Sequence, residues 1–203
     1  MMLETTIRGH HLVLETSPRL FAPQAPDRGT LAMLSCATFQ TDEHILDLGC
    51  GYGLVGIVAA LEAGSEGVVM LDVDTAAVAI AARNAARNGV PGIRTFVSDG
   101  FSRLDDAEYD WILSNPPYHA DFSVPRLFIE KGFNRLRIGG RMLMVTKRKD
   151  WYQNKFISVF GGVKITEIDG YYVFMGEKRQ GSYAGGKKAK APKSKSSPAS
   201  GRA

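Results

Sequence analysis

Short apolar runs alternate with longer helical stretches along most of the chain, and this alternation restricts its fold more than any other feature. Short apolar runs bounded by turn residues are typical of buried strands, whereas longer stretches with helical periodicity are typical of helices. Strands are predicted at residues 44–49, 67–73, 93–99, 109–115 and 140–147. Helices are predicted at residues 27–39, 54–64, 75–89, 124–136 and near 156–162.

A last apolar segment, residues 164–178, is predicted to form a hairpin that turns near Asp169-Gly170. Strands that alternate with helices form a mostly parallel sheet, and the hairpin adds an antiparallel edge. We therefore predict an α/β fold with a mostly parallel seven-stranded sheet, helices on both faces and a C-terminal antiparallel hairpin.

The chain has 203 residues, of which 44% are hydrophobic, enough for one domain with a sizeable core. We expect one domain at 1–180 and a tail at 181–203. The tail holds six Lys or Arg and no acid, so residues 1–180 carry a net charge of −2. Because the tail lacks apolar periodicity, we expect it to be disordered. Two roles stay open, a solubilising end and a nonspecific arm for a polyanion such as RNA.

Composition also limits the compartment and the chemistry. The N-terminal residues lack an apolar run of signal-peptide length, and no apolar run is long enough to span a membrane. The two cysteines, Cys36 and Cys50, are too few for a disulfide framework and lack zinc-site spacing. We expect a cytoplasmic protein without a metal site and without a membrane partner.

The first predicted strand ends in a glycine-rich loop, LDLGCGYGLVG. Gly49, Gly51 and Gly53 allow positive φ and let a ligand approach the backbone next to the start of the following helix. This loop also fits the dinucleotide pattern GxGxxG, which leaves an NAD enzyme as an alternative. Asp47 separates the two readings, because a carboxylate there suits a cationic ammonium group and would repel pyrophosphate.

Two further acids end the next two predicted strands. Asp72 is placed to accept hydrogen bonds from two ribose hydroxyls, and Asp99 could accept from an adenine amino group. Each acid alone could be only a helix cap, as we expect for Asp74. Together with Asp47 they fit one ligand, S-adenosyl-L-methionine. The expected cofactor-binding set is Asp47, Gly49, Gly51, Gly53, Asp72, Val73, Asp99, Gly100 and Asn115.

The fourth predicted strand ends in SNPPYH, residues 114–119. Prolines have no N–H, so the Asn115 side-chain oxygen and the Pro116 carbonyl would form a pocket that accepts hydrogen bonds and barely donates. Such a pocket can hold both hydrogens of an exocyclic amine, while Tyr118 stacks on the base. The expected catalytic residues are Asn115, Pro116, Pro117 and Tyr118.

These motifs carry a family resemblance. In their order and spacing, DLGCGYG, LDVD, VSDGF and SNPPYH resemble those of the class I S-adenosylmethionine-dependent methyltransferases, with their Rossmann-like fold. Over residues 10–179 the chain is most similar to the small-domain, RsmC-like enzymes that methylate N2 of guanine in ribosomal RNA. In that group an upstream segment helps to close the cofactor site, and its corresponding residues here are Phe21, Asp27, Gly29 and Thr30.

The resemblance implies methyl transfer to guanine N2 in ribosomal RNA of the small subunit, and the expected partner is that RNA or the small ribosomal subunit. A monomer is favoured, although the sequence does not determine the oligomeric state. Adenine N6 in transfer or ribosomal RNA, a glutamine amide of a protein and a catalytically silent RNA-binding module remain alternatives.

Substrate contacts are expected at His119, Phe21 and a basic stretch over residues 126–155 that includes Lys147, Arg148 and Lys149. That stretch could be only a solvated surface, or it could contact phosphates with the help of Trp151 and Tyr152. His119 could contact the base or phosphate, or could be packed inside the protein.

Overall fold

The computed structural model describes residues 1–116 and 121–183. Three of the expected site residues, Pro117, Tyr118 and His119, lie outside the described residues, as does the tail from 184 onward. Tyr183 packs against the body: its hydroxyl donates a 2.7 Å hydrogen bond to the Glu130 carbonyl, and its ring meets that of Phe133 edge-on. The folded body therefore continues beyond the expected boundary at 180.

Within the described ranges, a seven-stranded sheet has the order β5-β4-β3-β6-β7-β9-β8. The first five strands of this order are parallel, and β9 runs antiparallel to β7 and β8. This arrangement confirms the predicted sheet and its antiparallel edge. The strands are β3 (Ile45–Leu48), β4 (Val68–Asp72), β5 (Arg94–Val97), β6 (Tyr109–Ser114), β7 (Leu136–Thr146), β8 (Lys164–Ile168) and β9 (Tyr171–Glu177).

In the described part of the chain, four helices connect strands of this sheet and a fifth, α1, precedes β3; together they cover both faces of the sheet, as predicted. Asp74 caps α3, as expected, because its side chain accepts from the backbone N–H of Ala76. Gly89 follows α3 in the left-handed conformation, with φ +80°. The helices are α1 (Arg28–Ser35), α2 (Leu54–Ala63), α3 (Thr75–Arg87), α4 (Ser123–Arg135) and α5 (Asp150–Phe160).

The core lies in two layers, one on each face of the sheet. Alternate residues of β3 point to opposite faces, so Ile45 packs in the layer with α1, α2 and α3, whereas Leu46 packs in the layer with α4 and α5. Asp47 therefore faces the same side as Ile45, towards α2. Strand order reverses at β3, which has β4 on one side and β6 on the other. In open α/β sheets, ligands bind at the carboxyl ends of strands beside such a reversal.

One element was missed by the sequence analysis. Residues 1–17 form a hairpin of β1 (Met2–Ile7) and β2 (His10–Glu15), a separate two-stranded sheet. The end of α3 supplies hydrogen-bond partners for the outer edge of β2. The side-chain amide of Asn88 accepts from the Val13 N–H and donates to the Val13 carbonyl, each at 3.0 Å. The pairing depends on a helix more than 70 residues away in sequence, so local periodicity gave no sign of it.

Two element boundaries also differ from prediction. β7 begins at Leu136, directly after α4, rather than at residue 140. A glycine at position 140 allows this first part of β7 to approach β6. A Cβ at that position would lie 2.5 Å from the Tyr109 carbonyl oxygen of β6, which is too close. α5 begins at Asp150, earlier than the predicted helix near 156–162. Its first turn contains Trp151 and Tyr152, which the sequence analysis considered as RNA contacts rather than as part of a helix.

Candidate active site

A cavity of about 410 Å³ opens at the carboxyl ends of β3, β4, β5 and β6. Its walls are mainly apolar, and its polar groups come from strand ends and from the residues that precede α1. Several expected residues are brought together here, although they are spread over nearly 100 positions of sequence. The expected residues among those that line the cavity are Phe21, Asp27, Thr30, Asp47, Gly49, Gly51, Asp72, Val73, Asp99, Gly100, Asn115 and Pro116.

The glycine-rich loop forms the floor of the cavity. Gly49 and Gly51 have φ of +79° and +55°, and the Gly49 N–H bonds to the Leu71 carbonyl of β4. Gly53 does not line the cavity, although it was expected among the cofactor residues. It precedes α2 with φ +90°, and a Cβ there would lie 3.1 Å from the Ala81 side chain of α3. Gly53 therefore serves the packing of α2 against α3.

Asp47 is the buried acid of the site, with only 3% of its surface exposed. Its carboxylate accepts a 2.9 Å hydrogen bond from the backbone N–H of Gly56 in α2. Burial raises the pKa of Asp47 to about 7; the Gly56 N–H opposes this shift and the nearby charge of Asp72 adds to it. A buried carboxyl with one backbone partner and an opening to a cavity is suited to pair with a cation.

Asp72 ends β4 and holds the loop with both of its carboxylate oxygens. One oxygen accepts from the Gly51 N–H at 2.9 Å, and the other accepts from the Asp74 N–H at 3.0 Å. Each oxygen retains a further lone pair, so the carboxylate can still accept two hydroxyl hydrogens. Asp99 is exposed at the edge of the cavity, next to Gly100, whose φ is +55°.

Asn115 follows β6 and its amide is held from one side. Nδ2 donates 2.9 Å hydrogen bonds to Oδ2 of Asp27 and to Oγ1 of Thr30. Oδ1 is buried and has no hydrogen-bond partner in the described part of the chain. Pro116, which has no N–H, comes next and is also buried. The site thus contains a buried acceptor that faces no donor from residues 1–116 or 121–183.

Part of the apolar wall of the cavity comes from α4, and the sequence analysis missed this contribution. Val124, Leu127 and Phe128 line the cavity, and Leu127 is still 38% exposed. Such residues fit the flat face of an aromatic ring. The periodicity of these residues predicted a helix but did not indicate that this face of the helix would line the cavity.

Lys147, Arg148 and Lys149, here called the basic rim, do not line the cavity. They follow β7, which is parallel to β6, so they are exposed at the same edge of the sheet as Asn115. Each cation lies about 5 Å from an aromatic ring centre: Lys147 over Tyr171, Arg148 over Phe122 and Lys149 over Tyr172, at 4.8, 5.2 and 5.3 Å.

Trp151 and Tyr152, which the sequence analysis considered as RNA contacts beside the basic rim, are both partly or fully covered by other side chains. Tyr152 is buried, and its ring stacks on Phe174 with centres 5.6 Å apart. One face of Trp151 is covered by Phe122, with ring centres 4.4 Å apart and planes 16° apart. Tyr152 packs in the core, where its ring cannot reach RNA, so the expectation that it contacts RNA is wrong.

A sequence model described as the methyltransferase small domain matches residues 11–175. The chain belongs to this family. Membership confirms the expected resemblance and is inconsistent with the NAD alternative.

Two relatives show the range of this similarity. YbxB of Bacillus subtilis is 28% identical over 85% of this chain and 89% of its own length. Ribosomal RNA small subunit methyltransferase C of Pseudomonas putida strain GB-1 is 31% identical over 84% of this chain. The chain spans only 52% of that relative.

A solved structure agrees with the sequence comparison. The 16S ribosomal RNA N2 methyltransferase RsmC of T. thermophilus, in complex with AdoMet and guanosine, has a TM-score of 0.81 to this chain and 25% identity. The alignment covers 88% of this chain and 50% of that one. The class I methyltransferase fold predicted from the sequence is therefore confirmed.

In the described ranges, 1–116 and 121–183, no helix is both long and apolar enough to cross a membrane. Within the same ranges, no three His, Cys, Asp or Glu side chains are grouped closely enough to hold a metal ion.

Proposed function

We propose that this chain transfers a methyl group from S-adenosyl-L-methionine to the exocyclic N2 of a guanine in ribosomal RNA of the small subunit. One observation carries the proposal: Oδ1 of Asn115 is a buried acceptor at the wall of the cavity and has no donor among the described residues. A buried acceptor left unpaired costs stability, and a donor from a ligand would satisfy it.

S-adenosyl-L-methionine is the cofactor of this family and fits the polar groups of the cavity. Asp47 would pair with its ammonium group and Asp72 with its ribose hydroxyls. Asp99 would accept from the adenine amine, while Val73, Leu127 and Phe128 border the ring. Gly53, the N-cap of α2, provides no side-chain cap, so the first two N–H groups of the helix, those of Leu54 and Val55, would be available to a carboxylate. When bound, the cofactor supplies an electrophilic methyl group.

The chain's own residues act on the amine that accepts the methyl group. Oδ1 of Asn115 and the Pro116 carbonyl each accept one N–H, which turns the nitrogen lone pair out of the plane of the base and towards the cofactor. The amine proton becomes acidic as the new bond forms and leaves to water. Catalysis would therefore depend on position and electrostatics, without a metal or a strong base. Pro117 and Tyr118 lie outside the described residues, and stacking of Tyr118 on the base stays part of the proposal.

The basic rim is proposed to contact the phosphates that flank the target nucleotide. Its three cations are exposed at the same edge as the cavity, while cationic side chains supply most of the nonspecific affinity for RNA. Phe21 is 53% exposed and also lines the cavity, and it is proposed to contact the base. His119 stays a proposed contact from the sequence alone. The target base must be unpaired or flipped, since a stacked amine could not enter the cavity.

Guanine N2 is preferred over other amines because of the relatives. RsmC of T. thermophilus, with its bound guanosine, has the same fold over 88% of this chain. An acceptor pair such as Asn115 and Pro116 would also hold adenine N6 or a glutamine amide, so these acceptors are outcomes of the test rather than separate proposals.

The test is deletion of the gene followed by mass spectrometry of nucleosides from purified small-subunit RNA, large-subunit RNA and transfer RNA. Loss of N2-methylguanosine from small-subunit RNA alone is expected, and the purified chain should restore it in vitro. Naked RNA and isolated subunits from the deletion strain would be compared as substrates. Loss of N6-methyladenosine instead would move the acceptor to adenine. If no nucleoside changes, RNA is not the methyl acceptor. The acceptor would then be a protein amide, or the chain would be a catalytically silent RNA-binding module.

A further inference from the structure

We propose that Asp27 and Thr30 are positioning residues, which fix the Asn115 amide in the one orientation that presents its oxygen to the acceptor amine. The inference rests on the proposed function and deepens it. Asp27 and Thr30 are 88 and 85 residues from Asn115 in sequence. They are therefore joined to it only by the fold.

The two hydrogens of the Asn115 amide are both used. One is donated to Oδ2 of Asp27 and the other to Oγ1 of Thr30, each at 2.9 Å. An amide whose two hydrogens are both engaged has only its oxygen left for other partners. That oxygen is buried, and Asn115 lines the cavity.

Asp27 decides which way the amide faces. An ionised carboxylate only accepts hydrogen bonds, whereas the Thr30 hydroxyl can both donate and accept. If the amide flipped, Oδ1 would meet Oδ2 of Asp27, so two acceptors would face each other and the cavity would receive an NH2 group. Losing a hydrogen bond to a charged group disfavours that orientation by roughly 10- to 100-fold.

Asp27 itself is held in place. It caps α1, and its Oδ2 also accepts a 2.8 Å hydrogen bond from the Thr30 backbone N–H. Gly29 lets the start of α1 approach β9, since a Cβ there would lie 2.7 Å from the Tyr171 ring. The carboxylate is therefore fixed to the sheet before any ligand binds, and the amide is oriented in advance.

The decisive variant is Asp27→Ser. Ser caps a helix as well as Asp does, so α1 should stay folded, but its hydroxyl is shorter and uncharged and no longer holds the nitrogen of the Asn115 amide. We expect kcat on RNA to fall by about 10²-fold, as for loss of a preorganised polar group in other active sites. The affinity for S-adenosylhomocysteine should stay within about twofold of the parent's.

Asp27→Asn is the matched conservative variant. In the parent one oxygen of residue 27 both caps α1 and accepts from the Asn115 amide, and the side-chain oxygen of an Asn can do the same. We expect Asp27→Asn to keep kcat at least about tenfold above that of Asp27→Ser. Thr30→Ser keeps the hydroxyl and should behave like the parent, whereas Thr30→Val removes it and should lower kcat.

A second measurement needs no substrate. In the ¹⁵N-labelled full chain with S-adenosylhomocysteine, the side-chain NH2 of Asn115 should exchange slowly with water, and Asp27→Ser should speed this exchange. Parental kcat and parental exchange in Asp27→Ser would overturn the proposal. So would a loss of cofactor affinity as large as the loss of kcat, which would mean that Asp27 serves the cofactor. If the parent methylates no RNA, the proposed function fails, while the exchange rates still decide on the orientation.

Discussion

The Asp47 carboxylate accepts a 2.9 Å hydrogen bond from the backbone N–H of Gly56, and this contact joins the end of β3 to the first turn of α2. Gly56 is required there, because a Cβ would lie 2.4 Å from the Met70 side chain of β4. Strand and helix therefore meet closely enough to bury the carboxyl, and burial raises its pKa to about 7. Two predictions follow from this pKa.

Cofactor affinity should depend on pH near neutrality. Only ionised Asp47 can pair with the ammonium group, so the Kd for S-adenosylhomocysteine should rise by about tenfold per pH unit as pH falls below 7. Isothermal calorimetry from pH 5.5 to 8.5 would measure this dependence. Asp47→Asn should bind weakly at every pH in that range, whereas Asp105→Asn, a change of an exposed acid outside the cavity, should keep the parental slope. A flat parental profile would contradict the pairing.

Stability should change with pH in the sense opposite to that of a salt-bridged acid. The pKa of Asp47 is higher in the folded chain than its ordinary value of 3.8, so between these values the folded state binds more protons than the unfolded state. Protonated Asp47 therefore stabilises the folded chain relative to ionised Asp47. This contribution to the free energy of unfolding is fully present below about pH 4 and is lost as pH rises through 7. Without cofactor, Asp47→Asn should melt above the parent at pH 8 and match it near pH 4. Scanning calorimetry at both pH values would show a reversed sign if Asp47 were paired inside the protein.

Asn115→Ala should abolish turnover while leaving cofactor affinity nearly unchanged. The substitution removes the oxygen that accepts from the amine, so kcat should fall by about 10²- to 10³-fold. Single-turnover methyl transfer and calorimetry with S-adenosylhomocysteine would separate the two effects. Asn134→Ala, on the exposed side of α4, is a matched control that should retain parental kcat. A large loss of cofactor binding would show that Asn115 serves the cofactor instead.

Asp72→Ala should weaken cofactor binding before it affects chemistry. It removes the acceptor for two ribose hydroxyls as well as the partner of the Gly51 N–H, so affinity should fall by roughly 10- to 100-fold. The Kd from calorimetry is the measurement, and Asp105→Ala is the control. Equal binding by variant and parent would refute the ribose assignment.

Charge reversal of the basic rim should affect RNA and spare the cofactor. Changing Lys147, Arg148 and Lys149 to Glu should raise the KM for RNA and lower the salt dependence of RNA binding by about two units of the log–log slope. Cofactor Kd should not change. The matched control reverses three exposed cations at the opposite edge of the sheet, Arg137, Lys164 and Arg179. Equal losses in both triple variants would mean a general charge effect rather than a binding surface.

Much of the architecture could be predicted because it follows from patterns within short stretches of sequence. Apolar runs of strand length marked β3, β4, β5 and β6 to within two residues at each end. Asp169 and Gly170, with φ of +50° and +77°, form the predicted hairpin turn. Since parallel strands end at a common edge, acids placed at those ends were expected to meet, and Asp47, Asp72 and Asp99 do line one cavity.

The sequence by itself determined the order of strands and helices, the glycine-rich loop and the residues at each strand end, because period, turn chemistry and chain direction act over a few residues. The tertiary structure decided what those residues face. The burial of Asp47 against Gly56, the apolar wall from α4 and the hold of Asp27 on Asn115 across 88 residues all depend on how closely helices approach the sheet. Such distances are set by side-chain packing between elements far apart in sequence, which no local pattern contains.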